Sequence, residues 1–325
     1  MTSNANPILV GIIAGLAAAI LMAASAYAPF ASLFLLTAAL TSIFTAGLGF
    51  GLVSCLVAIA TASIANAALY MSPESLFFTA IPLLPAAAMG YLANLARPAA
   101  EIGGPDAAMA WFPLSDILLV GAILTAVATV GTLSFHPGME RVYAVVIDAA
   151  AQMMAEIDPQ APVDPQMKTQ MMGILKAVWP MVQSAQFLIA LFAGFYFAIR
   201  ILTVTSRSMR PREDIPANLR MNRLAIVVLL AGLALVFVGG AMTIVGASFA
   251  GAVAGGFLLS GYAIIHNSLR GKSWALPGLI LTYLLSLFIW PIAFLIIVIG
   301  GLANPRRAMA LTQNQPDQNP PTNPL

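Results

Sequence analysis

Charge is what this sequence has least of. Of its 325 residues only 8% are Asp, Glu, Lys or Arg, while 60% are hydrophobic. A soluble domain carries about 25% charged residues, so this chain could not cover its own surface with polar groups. A water-soluble globule is excluded, and lipid is left as the medium for most of the length. The net charge of +2 gives no grip on nucleic acid, and no Walker loop, GxGxxG or nucleic-acid motif occurs. The single cysteine, Cys55, lies in an apolar stretch, so no disulfide framework or CxxC box exists. The two histidines, His136 and His266, have no metal-spaced partners, which leaves no zinc site. Acids, His and Cys nowhere cluster near an interface. Neither an enzyme nor a bound cofactor is expected.

Long uncharged runs are what the chain has instead. A helix needs about 20 mostly apolar residues to cross roughly 30 Å of hydrocarbon. On that rule spans fall near 8–27, 31–48, 51–70, 76–95, 114–134, 184–204, 222–243, 246–266 and 277–301. The second and third meet through Gly47, Gly49 and Gly51 with no polar loop, and the last contains Pro291, which reads as a kink or as the tip of a re-entrant pair. Backbone groups in lipid must be satisfied within their own segment, and the alternation of a barrel strand is missing, so strands are not expected in these runs. The expected fold is all-α, a polytopic transmembrane bundle of about nine spans, with eight as the alternative. Spans one to five occupy 1–135, an extramembrane amphipathic helical hairpin 136–180, spans six to nine 181–303, and a disordered tail rich in Pro, Asn and Gln 304–325. Ala26-Tyr27-Ala28 has the small-x-small form of a cleavage site, but residues 1–7 hold no Lys or Arg and the apolar run is long, so the first span is expected to stay uncleaved.

Orientation follows from cations, which favour the cytoplasmic side. The loop 206–223 carries Arg207, Arg210, Arg212, Arg220 and Arg223 against Glu213 and Asp214, whereas the 136–180 excursion has more acids than bases. The loop and the N-terminus are therefore predicted cytoplasmic, with Arg97, Arg270 and Lys272, in the inner membrane of a bacterium. Nine crossings, however, place Arg306 and Arg307 outside, against the rule, unless the last segment fails to cross.

Ionisable groups are nearly absent from the spans, which argues against an ion-coupled carboxylate relay. Four residues remain as candidate substrate contacts. Asp116 lies about one turn inside span five, where the helix dipole alone would also favour it. Asn66 in span three and Asn94 near the end of span four need partners in lipid, either as interhelical glue or lining a small-molecule site. His266 closes span eight, where a satisfied interfacial His is the plainer reading. Arg200, near the inner end of span six, reads as a snorkelling side chain. Small residues recur at helical spacing (Gly11 with Gly15, Ala14 with Ala18, Gly47 with Gly51, Gly251 with Gly255) and suit close packing, with the first span alternatively docking a partner subunit. Pro82 and Pro85 kink span four, and broken helices are where transporters often build sites.

Within the excursion, Asp164-Pro165 reads as N-cap and first turn of a helix to about Trp179. Met167, Met171, Leu175 and Val178 form one apolar stripe, and Val142, Val145, Ala149 and Met153 another. The hairpin is expected on the membrane surface or as a lid over a ligand cavity. Its methionines also invite a copper reading, although clean MxxM repeats are missing.

The run Ala80-Ile81-Pro82-Leu83-Leu84-Pro85-Ala86-Ala87-Ala88-Met89-Gly90-Tyr91-Leu92, ending at Arg97-Pro98, resembles the fourth span of the YybS-like predicted membrane proteins. So do Asn4-Ala5-Asn6, Gly261-Tyr262-Ala263-Ile264-Ile265-His266 and Gly301-Leu302-Ala303-Asn304-Pro305. That family is similar to the substrate-binding (S) subunits of energy-coupling-factor transporters. The resemblance implies a small-solute-binding subunit partnered by the bilayer and an ATP-driven coupling module, and it brings no site residues with it. Arg306 and Arg307 depart from the acidic close usual in the family. The competing expectation is a non-transport scaffold or envelope assembly factor, with the charged loop 206–223 as its docking surface.

Overall fold

The computed structural model of the chain describes residues 6–106, 108–136, 138–157, 164–303 and 309–313. It is an all-α transmembrane bundle. Five helices come first: α1 (Pro7–Tyr27), α2 (Ser32–Phe50), α3 (Leu52–Tyr70), α4 (Glu74–Ala93) and α5 (Leu114–Phe135). The extramembrane α6 (Met139–Ile157) precedes α7 (Pro165–Val204), followed by α8 (Ile215–Asn218), α9 (Leu224–Val238), α10 (Ala241–Leu269), α11 (Ala275–Phe288) and α12 (Trp290–Leu302). At α1, α7 and α8 a side chain satisfies one of the first free N–H groups. Asn6 Oδ1 accepts from Ile8 N at 2.9 Å and Asp164 Oδ1 from Met167 N at 2.6 Å, each with proline in the first turn. Several hydroxyls inside the spans are satisfied locally: Thr37, Thr41 and Thr45 donate to the carbonyls four residues back at 2.7–2.8 Å.

One end of the bundle is defined by arginine. There Asn94 Nδ2 reaches the Gly47 and Leu48 carbonyls at the end of α2, and Arg207 lies over the Phe50 ring. Arg210 donates to Ala93 O (3.1 Å) and Phe112 O (2.9 Å), tying the end of α4 to the approach to α5, and Arg270 pairs with Asp214. The same end carries a small sheet. β1 (Ala96–Pro98) pairs antiparallel with β2 (Ala108–Trp111), which pairs antiparallel with β3 (Leu311–Gln313). Among the described residues strands occur only here, outside the apolar helices. β3 corrects the expectation of disorder for part of the tail: Trp111 Nε1 donates to Thr312 Oγ1 at 2.6 Å. The rest of the tail lies outside the described residues, Arg306 and Arg307 included.

Arg270, ahead of α11, and Leu311–Gln313, after α12, sit at the same end of the bundle. These two helices meet at 114°. Pro291, in the first turn of α12, has no N–H to continue a helix from α11. Seven helices are long and apolar enough to span a membrane. The α9 helix is apolar but shorter, its 15 residues rising only about 22 Å. Leu219 and Met221 ahead of it are buried, and Gly239 and Gly240, with φ of 83° and 59°, turn the chain into α10. Against about nine expected spans, with eight as the alternative, the described residues hold these seven, or up to eight if the bent α11–α12 pair is one span.

The core runs between α1, α2, α3, α4, α5, α7 and α10, around Leu40, Phe44, Leu83, Leu118, Leu188 and Phe195. Small residues let backbones touch. A Cβ on Gly11 or Gly15 would collide with α3, on Gly251 with Met181 of α7, and on Gly300 with Phe257 of α10. Part of the small-residue surface of α1, at Gly11 and Gly15, is thus taken by α3.

Two details of the excursion differ from expectation. The helix opened by Asp164 does not end at Trp179; it continues through Pro180 into the sixth span as one helix of 40 residues, about 60 Å long. On α6 the row that packs against α7 is Tyr143, Ile147 and Ala151, while Val142, Val145 and Met153 are exposed. Both rows are apolar and adjacent on the helix. The one bearing Tyr143 gains a ring partner in Trp179, edge to face at 6.4 Å.

Candidate functional site

At the end of the bundle opposite the arginines, α1, α2, α4, α5 and α7 enclose a cavity of about 320 Å³, half open to the outside. Its polar lining comes from Ser25, Ser32, Thr129, Thr132, Gln183 and Gln186, and Pro82 contributes to the α4 wall. Proline at that position removes a backbone donor from α4 where the cavity begins. No ionisable side chain lines it.

The local bonds decide what this lining can offer. Ser25 donates to Met22 O at 2.6 Å, Thr129 to Thr125 O at 2.9 Å and Thr132 to Ala128 O at 2.9 Å. With their protons spent on the backbone, these hydroxyls are left as acceptors. Gln183 is the reverse: its Oε1 accepts from Trp179 Nε1 at 3.0 Å, so its amide N–H groups are left to donate. The set suits an uncharged solute with both donors and acceptors.

Gln183 also roots the hairpin at the cavity rim, through Trp179 and Tyr143. The Tyr143 hydroxyl is buried and makes no hydrogen bond among the described residues. Burial, and then the Glu140 carboxylate, push its phenol above the ordinary tyrosine range. Lys168 to Asp148 at 2.8 Å and Lys176 to Glu140 at 2.9 Å hold the two hairpin helices together on the exposed side.

The four residues singled out from sequence lie apart from one another and from this cavity. Asn66 is buried between α3 and α4, donating to Thr79 Oγ1 at 3.2 Å, with its Oδ1 unbonded. Asn94 holds α4 to the last carbonyls of α2, a helix-end role. Asp116 is buried at the arginine end, accepts from Asn222 Nδ2 at 2.6 Å, and lines a separate 350 Å³ cavity beside the sheet. His266 shares a hydrogen bond of 2.7 Å with Tyr283 of α11. The residues that do line the far cavity passed unnoticed because single Ser, Thr and Gln residues are ordinary in a span. Their spacing was the available signal: Thr129 with Thr132 and Gln183 with Gln186 are three apart, hence on one helix face. Among the described residues no group of three or more His, Cys, Asp or Glu gathers as a metal site would.

Comparison with protein family models, with curated proteins and with solved structures finds no match to this chain.

Proposed function

We propose that this is a multi-pass inner-membrane protein, its arginine end in the cytoplasm, that captures a small uncharged polar solute in the far cavity. The orientation rests on the positive-inside rule. If the α11–α12 pair returns the chain to its starting end, every described Lys and Arg outside the hairpin falls on one side in this reading. The observation that carries the capture is the cavity itself, with Thr129, Thr132, Gln183 and Gln186 converging in otherwise apolar helices. Its volume lies near the lower limit of about 300 Å³ for small-molecule pockets. This reading fits the likeness to S subunits of energy-coupling-factor transporters, which work with a separate ATP-driven module.

The test is a thermal-shift and native mass spectrometry screen of the purified chain against vitamins and other small neutral polar solutes. A saturable stabilisation is expected from at least one, reduced about tenfold in apparent affinity by Thr129→Val with Gln186→Leu. If no solute gives saturable binding, or the double variant binds as well as the parent, solute capture at this cavity is wrong.

A second reading, as a scaffold for envelope assembly, draws on the arginine end. Arg210 pins the 207–223 loop to the ends of α4 and α5, which makes a firm basic surface rather than a loose one. Crosslinking in membranes separates the two: an ATP-driven coupling module among the products favours capture, envelope-assembly proteins favour the scaffold.

A further inference from the structure

A cavity of about 470 Å³ lies at the arginine end between α7 and the loop that follows it. Four guanidiniums line it, from Arg200, Arg210, Arg212 and Arg270, against the carboxylates of Glu213 and Asp214. Two of the four are already matched. Arg210, buried, donates from Nε to Glu213 Oε1 at 2.6 Å and from its other nitrogens to Ala93 O and Phe112 O. Arg270 grips Asp214 with two parallel bonds of 2.5 and 2.7 Å. Arg212 acts on Asp214 only through its field, and Arg200 forms no ion pair or hydrogen bond among the described residues. The cavity therefore holds two positive charges more than negative ones.

Arg200 is half-buried on α7, one turn from its end, and Tyr196 lies one turn further into the span on the same wall. Tyr196 and its neighbour Phe197 are exposed on the outer surface of the bundle. An aromatic residue at that depth beside an unmatched guanidinium marks the level of lipid headgroups. A snorkelling arginine alone would need only water. Here a second arginine faces the same space, and the planar forks of both favour a group with several acceptor oxygens. Basic pockets between helices at the cytoplasmic interface suit phosphate headgroups.

We infer that this cavity binds a phosphate ester, with Arg200 and Arg212 as its ligands, and that the ester is the headgroup of an anionic phospholipid entering from the bilayer beside Tyr196. The inference stands independently of solute capture at the other end.

The full chain is reconstituted in nanodiscs of phosphatidylglycerol or of phosphatidylcholine alone, and retained lipid is counted by native mass spectrometry after detergent release. The wild type is expected to retain phosphatidylglycerol and to melt higher with it than with phosphatidylcholine. Arg200→Gln with Arg212→Gln should weaken retention by about tenfold or more, as loss of a charged hydrogen bond implies. Arg97→Gln, which removes a cation from the same end but outside this cavity, should leave it unchanged. Arg200→Lys keeps the charge and loses the fork, and should fall between, which keeps the question answerable if the double variant does not fold. Inorganic phosphate and glycerol phosphate form the second arm: saturable stabilisation by them with no lipid selectivity would keep the phosphate chemistry and overturn the lipid as its source. Retention equal in both nanodiscs with no response to soluble phosphate, or an equal loss in Arg97→Gln, would overturn the site.

Discussion

The two ends of the bundle are built from opposite materials. At the arginine end, charged side chains reach into the protein and bond to backbone carbonyls. Arg210 is 5% exposed, yet its guanidinium is fully engaged by Ala93, Phe112 and Glu213. At the far end no charged group enters the bundle, and the polar lining consists of hydroxyls and amides that mostly satisfy themselves. The difference has one physical source. A helix terminus leaves its last carbonyls unsatisfied, and the Ala93 carbonyl at the end of α4 faces the same space as the Phe112 carbonyl ahead of α5. A guanidinium can be buried there because its donors all find acceptors. In the middle of a span a guanidinium finds no such set of acceptors, and the hydroxyls around the far cavity mostly bond their own helix.

Removing Arg210 is the strongest way to break that contrast. Arg210→Ala leaves the buried Glu213 carboxylate without its partner and strips Ala93 O and Phe112 O of a donor. Stranding one member of a buried pair costs about 3–5 kcal/mol, so the purified variant should show a large fall in unfolding midpoint. Replacing both members, Arg210→Met with Glu213→Leu, should recover much of the loss. If the single variant melts like the parent, the arginine is not what fastens this end.

The helix contacts between the two ends come next in size. Gly251→Val forces side-chain atoms against the Met181 backbone of α7, and overpacking of this kind costs about 1–3 kcal/mol. Gly173→Ala, on the hairpin portion of α7 where nothing stands within 4 Å, is the control. There the same helix should become more stable by about 1 kcal/mol or less. Thermal unfolding of the two variants in one detergent gives the comparison, and equal shifts would mean that close approach of backbones does not hold α7 to α10.

The far end should be far less sensitive. Lys176→Ala breaks a surface pair with Glu140 whose side chains are 39% and 77% exposed. Exposed pairs contribute about 0.2–1 kcal/mol, so its unfolding midpoint should hardly move. A loss as large as that of Arg210→Ala would place the hairpin among the structural supports of the bundle.

Much of this contrast was legible in the residues. Hydropathy alone located α1 to α5, α10 and the membrane half of α7, because lipid permits little besides a helix. Asp164-Pro165 placed the start of α7 correctly. Its expected end at Trp179 was wrong because a proline breaks a helix only when the freed carbonyl and the steric clash are not absorbed. Pro180 is buried within a continuous helix instead. The α11–α12 bend could be suspected at Pro291, but the pairing of β3 with β2 across about 200 residues could not be. The far cavity was hidden for a similar reason. Asn66 and Asn94 stand out in a span because an amide is costly there, yet each is consumed by packing. The cavity is lined by commoner residues that only the meeting of five helices brings together.

The smallest effect is expected at the exposed edge of the arginine end, and its sign follows from linkage. The paired Arg270 guanidinium, more than the modest burial opposing it, holds the Asp214 carboxyl below its ordinary value. A carboxyl whose folded value is depressed contributes stability that is fully present above the unfolded value and is lost as pH falls through the folded one. The unfolding midpoint of the wild type should therefore be insensitive to this group from neutral pH down to the ordinary carboxylate range, and should decline only below it. Asp214→Asn removes that part of the decline and lowers the midpoint slightly at neutral pH. Arg210 and Glu213, sealed from water, should show no salt dependence, whereas 0.5 M salt should diminish the Asp214 contribution. A midpoint difference between Asp214→Asn and the parent that persists undiminished below the ordinary carboxylate range would mean that the pair acts by holding the loop in shape rather than by charge. The exposed and buried arginines of this end would then differ in surroundings but not in kind.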